Sequence, residues 1–138
     1  MSLCLPAGGS RAPASVDTVQ QGLHFVKMAG PEVFRFATRV VAESTNEVLA
    51  KAGFGIDDID LFIPHQANLR IIEAAAKRVG LPMEKVFVNV DRYGNTGAAS
   101  VYVALEEAVT AGRVKRGDTL LLAAFGGGFA WGAALLQW

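Results

Sequence analysis

The chain has 138 residues, of which 51% are hydrophobic and 19% charged, and its 13 basic side chains balance 13 acidic ones. This composition excludes an intrinsically disordered chain and favours a globular domain that buries a sizeable core. A net charge of zero gives no long-range attraction to polyanions, so it argues against a nucleic-acid or anionic-membrane partner.

The N-terminus shows neither a basic segment nor an apolar run of signal-peptide length, and a single cysteine, Cys4, cannot form an internal disulfide. We therefore expect a cytoplasmic protein. Residues 119–138 are uncharged over a length that could cross a bilayer, but three consecutive glycines interrupt them. We interpret this segment as two buried strands around a tight glycine turn, and we expect no membrane span.

The first 30 residues are predicted to form a loop-rich arm, and residues 31–138 the main domain. Residues 1–22 are rich in Pro, Gly, Ser and Ala without periodicity, and a short strand is expected within 22–28. Residues 31–52 have apolar side chains at helical spacing, with Pro31 in the first turn and Gly53 just beyond the end. The pattern therefore predicts a long helix over 31–52.

Strands and helices alternate after this helix. Strands are expected at 59–63, 86–90, 119–125 and 129–136, and helices at 68–79 and 98–111. Such alternation predicts an α/β fold, with a mixed, mostly parallel sheet and helices on its faces. The last two strands, joined by glycines, are expected to be antiparallel.

Three unusual loops follow the predicted strands. They contain His65, Asn95 and the glycines 126–128. In open α/β sheets, ligands bind beyond the carboxyl ends of the strands, so these groups are expected to meet at one edge. A histidine, an uncharged amide and free glycine N–H groups suit a reaction that passes through an enolate or an oxyanion.

Each feature also has a structural interpretation. A histidine after a strand is more often structural or exposed, Asn95 between glycines is typical of a turn with positive φ, and a glycine run is common in hairpins. The coincidence of all three at successive strand ends favours a functional site. No cluster with metal-ligand spacing and no phosphate-loop pattern is present in the sequence.

Three segments, 65–72 (HQANLRII), 93–100 (YGNTGAAS) and 124–132 (AFGGGFAWG), strongly resemble the C-terminal half of β-ketoacyl-acyl-carrier-protein synthase III. The segment 5–10 (LPAGGS) is also similar to the part of that family that leads into this region. The resemblance covers nearly the whole chain. It implies a thiolase-like fold and a role in bacterial type II fatty acid synthesis, with acyl-CoA and malonyl-acyl-carrier-protein as substrates and no permanently bound cofactor.

The resemblance also implies roles for individual residues. His65 and Asn95 match two members of a Cys-His-Asn triad, in which they donate hydrogen bonds to the malonyl thioester carbonyl while carbon dioxide leaves. Gly127 matches an oxyanion-hole amide. Asn68 and Phe125 are expected to position substrate. Arg70 and Arg35 match positions that dock acyl-carrier protein in the family, and Lys77, seven residues after Arg70 on the same helix face, is expected to join them. The full-length enzyme is expected to be a homodimer.

One departure from the family pattern is the missing nucleophile. The family's cysteine lies in the N-terminal half, and Cys4 lacks the surroundings of a nucleophile turn. We therefore expect this chain to be the C-terminal part of a condensing enzyme, inactive by itself and partnered by a missing N-terminal half. The alternative is a non-catalytic α/β module that binds CoA or carrier protein.

Overall fold

The computed structural model describes residues 2–138, so the first residue of the predicted arm lies outside the described residues. The chain divides into two compact units, a smaller one that ends at Arg35 and a larger one, Phe36–Trp138. In the smaller unit, strand β1 (Leu3–Cys4) pairs antiparallel with strand β2 (Lys27–Met28). The strand expected within 22–28 is therefore confirmed only at its last two residues.

A short helix, α1 (Val16–Gln20), lies between these strands in the sequence. Ser15 caps it: the Thr18 backbone N–H donates to Ser15 Oγ at 3.2 Å, and Thr18 Oγ1 accepts from the Ser15 N–H at 2.8 Å. This reciprocal arrangement satisfies two of the backbone donors that a helix start leaves free. The loop-rich arm expected at the start of the chain thus contains two short regular elements, β1 and α1, that the sequence pattern did not predict.

Helix α2 (Gly30–Ala52) confirms the long helix expected over 31–52. Its buried face carries Ala37, Val40 and Val41, because residues three and four apart lie on one side of a helix. On its exposed side, Arg39 Nη1 lies 2.7 Å from Glu43 Oε2, and Lys51 Nζ lies 2.6 Å from Glu47 Oε1. Such exposed pairs contribute little to stability.

The larger unit contains a three-stranded sheet in the order β3 (Leu61–Pro64), β4 (Thr119–Gly126), β5 (Ala130–Gln137). Strands β3 and β4 are parallel, with Leu61 opposite Leu120, and β4 and β5 are antiparallel. The mixed sheet and its antiparallel final pair confirm the expected fold class. The carboxyl ends of β3 and β4 therefore lie at the same edge.

The expected strand at 86–90 is wrong. The structure has one isolated parallel bridge, Phe62 to Val86, and the chain then enters a helical turn, α4 (Val90–Tyr93). The reason is the side chain of Gln66, whose amide binds the backbone C=O of Phe87 and the N–H of Asn89. The Gln66 side chain thus forms hydrogen bonds with backbone groups that would otherwise pair with a neighbouring strand.

Helices cover both faces of β3, whereas β5 is exposed at most of its positions, so the expectation of two buried strands is wrong for β5. Helix α3 (Leu69–Val79) and α2 pack with Phe62 of β3 in one cluster, whereas α5 (Ser100–Thr110) packs with Leu61 and Ile63 in the other. Successive strand residues point to opposite faces, so β3 is buried throughout. None of the helices in the described part of the chain is both long and apolar enough to span a membrane.

Candidate active site

His65 directly follows β3 and remains attached to the sheet. Its backbone N–H donates to the Ala123 carbonyl at 2.7 Å, so the pairing with β4 extends to this residue. The imidazole is half-buried and meets the ring of Phe125 edge-on, with centroids 5.2 Å apart at 70°. Two of the predicted site residues are therefore in direct contact at the carboxyl edge of the sheet.

The His65 ring also contacts Ser100, the first residue of α5. Nδ1 lies 2.5 Å from Ser100 Oγ, and this hydroxyl also accepts a hydrogen bond from the Gln66 N–H at 3.1 Å. Ser100 is only 1% exposed. One buried hydroxyl therefore joins the imidazole to the start of the helix that follows the Asn95 loop.

The side chain of Gln66 connects the first two strand-end loops. Its Nε2 donates to the carbonyls of Pro64 at 2.9 Å and Phe87 at 3.1 Å, and its Oε1 accepts from the N–H of Asn89 at 2.9 Å and of Val90 at 3.2 Å. All four sites of this buried amide are thus satisfied. The backbone that leads toward Asn95 is fixed to the end of β3.

A polar chain continues from Asn89 to the surface. Asn89 Nδ2 donates to Glu107 Oε2 at 2.9 Å, and Glu107 forms an ion pair with Arg92. Asn89 is 2% exposed, so its amide needs this carboxylate partner. Helix α5 is therefore joined to the first loop at Ser100 and to the segment that precedes Asn95 at Glu107.

Asn95 lies in the exposed loop between α4 and α5. Its Oδ1 accepts a hydrogen bond from the Gly97 N–H at 2.9 Å. The positive φ angles of this loop belong to Gly94 (67°) and Gly97 (61°), not to Asn95. The interpretation of Asn95 as a residue chosen for left-handed backbone is therefore wrong. A 3₁₀ turn, Gly97–Ala99, then leads directly to Ser100.

Gly127 lies in the exposed turn between β4 and β5, two residues beyond Phe125. The left-handed positions of this turn are Gly128 (φ 80°) and Phe129 (φ 54°). The Phe129 ring lies 4.1 Å from that of Phe36, which also meets Trp131 edge-on at 5.6 Å. Aromatic packing therefore supports the turn that carries the predicted oxyanion amide.

Asn68 is the N-cap of α3, and its Oδ1 accepts a hydrogen bond from the Arg70 N–H at 2.9 Å. The side chains of Arg70 and Lys77 are exposed on this helix, seven positions apart and thus on one face. Arg35 is exposed at the end of the smaller unit. The oxygen of Asn68 therefore has a capping role in addition to the predicted one.

Burial lowers the pKa of His65 below its ordinary value of 6.5. The imidazole is therefore mainly neutral near pH 7, and a neutral ring carries one N–H donor and one acceptor nitrogen. Within residues 2–138, no group of three or more His, Cys, Asp or Glu side chains is placed to hold a metal ion.

The sequence interpretation did not assign roles to Ser100 and Gln66, although both lie inside the recognised segments. A signal for Ser100 was available, because Ser100, Ala104 and Ala108 form the buried stripe of α5. A polar residue on a buried stripe requires a hydrogen-bond partner. For Gln66 the sequence holds no comparable signal, since its partners include residues 23 and 24 positions away.

Comparisons with known proteins agree with this architecture. Residues 49–138 match the model of a family described as 3-oxoacyl-(acyl-carrier-protein) synthase III C terminal. The beta-ketoacyl-(acyl-carrier-protein) synthase III of Symbiobacterium thermophilum is 60% identical over 136 residues, which are 99% of this chain and 41% of that protein. The Clostridioides difficile protein of the same name is 52% identical, over 99% of this chain and 42% of its own length.

Solved structures show the same likeness. The 3-oxoacyl-(acyl-carrier-protein) synthase III of Aquifex aeolicus superposes with a TM-score of 0.81 at 51% identity, over 83% of this chain and 37% of that one. The Thermus thermophilus enzyme gives a TM-score of 0.81 at 57% identity, over 83% and 36%. This chain therefore spans about two fifths of the length of the curated relatives it matches.

Proposed function

The chain belongs to the family of 3-oxoacyl-(acyl-carrier-protein) synthase III C-terminal domains, and we propose that it supplies part of the active site of a decarboxylating condensing enzyme. The proposed reaction joins an acyl group, taken from acyl-CoA, to malonyl-acyl-carrier-protein. The thiolase-like α/β fold is that of the related synthases. The observation that carries the proposal is the position of His65, held between Phe125 and Ser100 at the carboxyl edge of the sheet.

The first role follows from the chemistry of decarboxylation. As the carboxylate of the malonyl group leaves as carbon dioxide, the electrons of the breaking C–C bond delocalise onto the thioester carbonyl and form an enolate. A fixed neutral donor at that oxygen stabilises the developing charge. His65 can serve as this donor through a ring N–H, and its Nδ1 side is already occupied by Ser100. The free edge of the ring is then available to substrate.

Asn95 is the proposed second donor. Its Oδ1 is engaged by the Gly97 N–H, which fixes the orientation of the carboxamide. Among the described residues, its Nδ2 has no hydrogen-bond partner, so two N–H donors remain for substrate. In this proposal both neutral donors act on the same thioester oxygen, and the enolate carbon then attacks the acyl-enzyme carbonyl. The resulting tetrahedral oxyanion collapses as the C–S bond breaks and the cysteine thiolate leaves.

The other assignments complete the proposed site. The Gly127 N–H would stabilise the oxyanion formed in that attack, while Asn68 and Phe125 position the substrate. Exposed Arg70 and Lys77, together with Arg35, are proposed to bind the acidic carrier protein. A homodimer of the longer enzyme stays a prediction.

The acyl-accepting cysteine is proposed to come from the part of the related synthases that this chain does not span. The single cysteine here, Cys4, lies in β1 of the smaller unit and is only partly exposed. We expect the chain by itself to form no acyl-enzyme. Stable labelling of Cys4 by acyl-CoA would contradict this expectation.

A chimaera tests the proposed function. The 138-residue chain would be joined to the preceding portion of the Symbiobacterium thermophilum relative, and condensation of acetyl-CoA with malonyl-acyl-carrier-protein would be measured. We expect turnover that is lost when the chimaera's nucleophilic cysteine is replaced by alanine. Carrier-protein binding without turnover in a folded chimaera would instead favour the non-catalytic module.

A further inference from the structure

The hydroxyl of Ser100 has two neighbours of different chemistry. One is the Gln66 backbone N–H at 3.1 Å, which can only donate, and the other is His65 Nδ1 at 2.5 Å, which donates or accepts depending on the tautomer. Ser100 is 1% exposed. Bulk water therefore cannot readily replace either partner, so the hydrogen-bonding groups of Ser100, Gln66 and His65 must satisfy one another.

Counting donors and acceptors decides the direction. A serine hydroxyl has one hydrogen and two lone pairs, and the Gln66 N–H uses one lone pair. Within residues 2–138, the only acceptor in hydrogen-bond contact with the hydroxyl is His65 Nδ1. If Nδ1 carried a proton, the hydroxyl hydrogen would be left without a partner in a buried position, which native structures avoid.

We propose that Ser100 is a positioning residue that donates its hydroxyl hydrogen to His65 Nδ1 and thereby holds the neutral imidazole in the tautomer with its proton on Nε2. The proposal deepens the proposed function and rests on it for its catalytic consequence. In this tautomer the donor of His65 lies on the ring edge opposite Ser100. Because Nδ1 contacts Ser100, a proton on Nε2 is the one that a neutral His65 can offer to a thioester enolate.

The surroundings of Ser100 fix its position on both sides. Ser100 begins the buried stripe of α5, which packs against β3, and it lies five residues beyond Asn95. Its other partner, Gln66, has a fully satisfied side chain that restrains the backbone N–H of the same residue. The hydroxyl is therefore held beside the imidazole, and the start of α5 positions both Ser100 and the end of the Asn95 loop.

The tautomer can be measured directly on the 138-residue chain. Nitrogen-15 NMR of the histidine ring distinguishes protonated from unprotonated nitrogens, and His65→Gln assigns the signals. We expect Nε2 to carry the proton in the wild-type chain at neutral pH. Ser100→Ala should redistribute the proton between the two nitrogens. Ser100→Thr, which keeps the hydroxyl, should return the proton to Nε2. Thr110→Ala, at the far end of α5, is the matched control and should change nothing.

Two results would overturn the proposal: a proton on Nδ1 in the wild-type chain, or an unchanged tautomer in folded Ser100→Ala. If that variant does not fold, Ser100→Cys provides a near-isosteric replacement with a weak donor, and it is expected to show the same redistribution. An unchanged tautomer in Ser100→Cys, with Ser100→Ala unfolded, would likewise count against the proposal.

Activity of the chimaera provides the second readout. Ser100→Ala should lower kcat for malonyl decarboxylation by roughly 10- to 100-fold, with KM little changed. A loss of this size does not exceed what a positioned acid or base contributes to a rate. Ser100→Thr should recover most of the loss, and Ser100→Ala should add little in a His65→Ala background. If His65→Ala itself leaves decarboxylation intact, the proposed function fails, while the NMR measurement still decides the tautomer.

Discussion

The side-chain oxygen of Gln66 accepts a hydrogen bond from the backbone N–H of Asn89 at 2.9 Å, although the two residues are 23 positions apart. The same amide also binds the carbonyls of Pro64 and Phe87. One buried side chain therefore takes the place of a strand ladder and sets the path of the chain from the end of β3 to the Asn95 loop.

Replacing Gln66 with leucine should destabilise the fold strongly. The change leaves buried backbone donors and acceptors without partners, and each such group costs about 1–3 kcal/mol. We expect the free energy of unfolding, measured with urea, to fall by about 3 kcal/mol or more. Gln137→Leu, at an exposed position of β5, is the control and should change stability by less than about 0.5 kcal/mol. Equal effects of the two variants would contradict this role of Gln66.

Acidification should destabilise the chain through His65. Burial lowers the pKa of His65 in the folded state below 6.5, so the unfolded chain binds this proton first as the pH falls. The contribution of neutral His65 is fully present above about pH 6.5 and is lost as the pH falls through the lowered folded-state pKa. Urea unfolding between about pH 7.5 and 5.5 should show a pH slope that His65→Gln reduces. An unaltered slope in His65→Gln would refute the assignment.

Thr45 on α2 should tolerate replacement by valine. Its side chain is fully buried, and within the described part of the chain its Oγ1 has no hydrogen-bond partner. Removing an unsatisfied hydroxyl relieves a desolvation cost, so Thr45→Val should raise the free energy of unfolding by about 1 kcal/mol. Thr45→Ser keeps the hydroxyl and deletes a methyl group, and it should lower stability by about 1 kcal/mol. The reverse order of the two variants in urea unfolding would mean that the hydroxyl has a partner in solution.

Charge reversal on α3 should weaken use of the carrier protein. In the chimaera, Arg70→Glu and Lys77→Glu should each raise KM for malonyl-acyl-carrier-protein by about tenfold with kcat little changed, because they remove attraction to an acidic partner. The difference from wild type should shrink at high salt. Arg116→Glu is the control, since this exposed residue precedes β4 and so lies toward the amino ends of the parallel strands. A similar rise in KM for Arg116→Glu would show that the effect is non-specific.

The fold was predictable wherever a local pattern decides the structure. Helix α2 follows from apolar residues such as Ala37 and Val41 at helical spacing, and β4 and β5 follow from apolar runs around the glycine turn. The strand predicted at 86–90 does not form for a long-range reason, because the Gln66 side chain binds backbone groups that would pair with a neighbouring strand. The capped helix α1 was missed although Ser15 and Thr18 have capping-box spacing, since no apolar periodicity follows them.

The candidate site was predictable in its parts and not in its connections. His65 was expected at the edge of the sheet because it follows a buried strand, and the structure places it there. Its contact with Ser100, 35 positions away, depends on how α5 packs against β3, which no local pattern reveals. The structural alternative for Asn95, a turn residue with positive φ, is wrong, because the neighbouring Gly94 and Gly97 take those conformations.

The most direct test of the account is the rate of carbon dioxide release from malonyl-acyl-carrier-protein by the chimaera. His65→Ala and Asn95→Ala should each lower this rate by about 100-fold or more, because each removes a donor to the enolate oxygen. Both variants should still transfer an acyl group from acyl-CoA to the cysteine, which shows that they are folded. Wild-type rates of carbon dioxide release in both variants would contradict the proposed roles of His65 and Asn95.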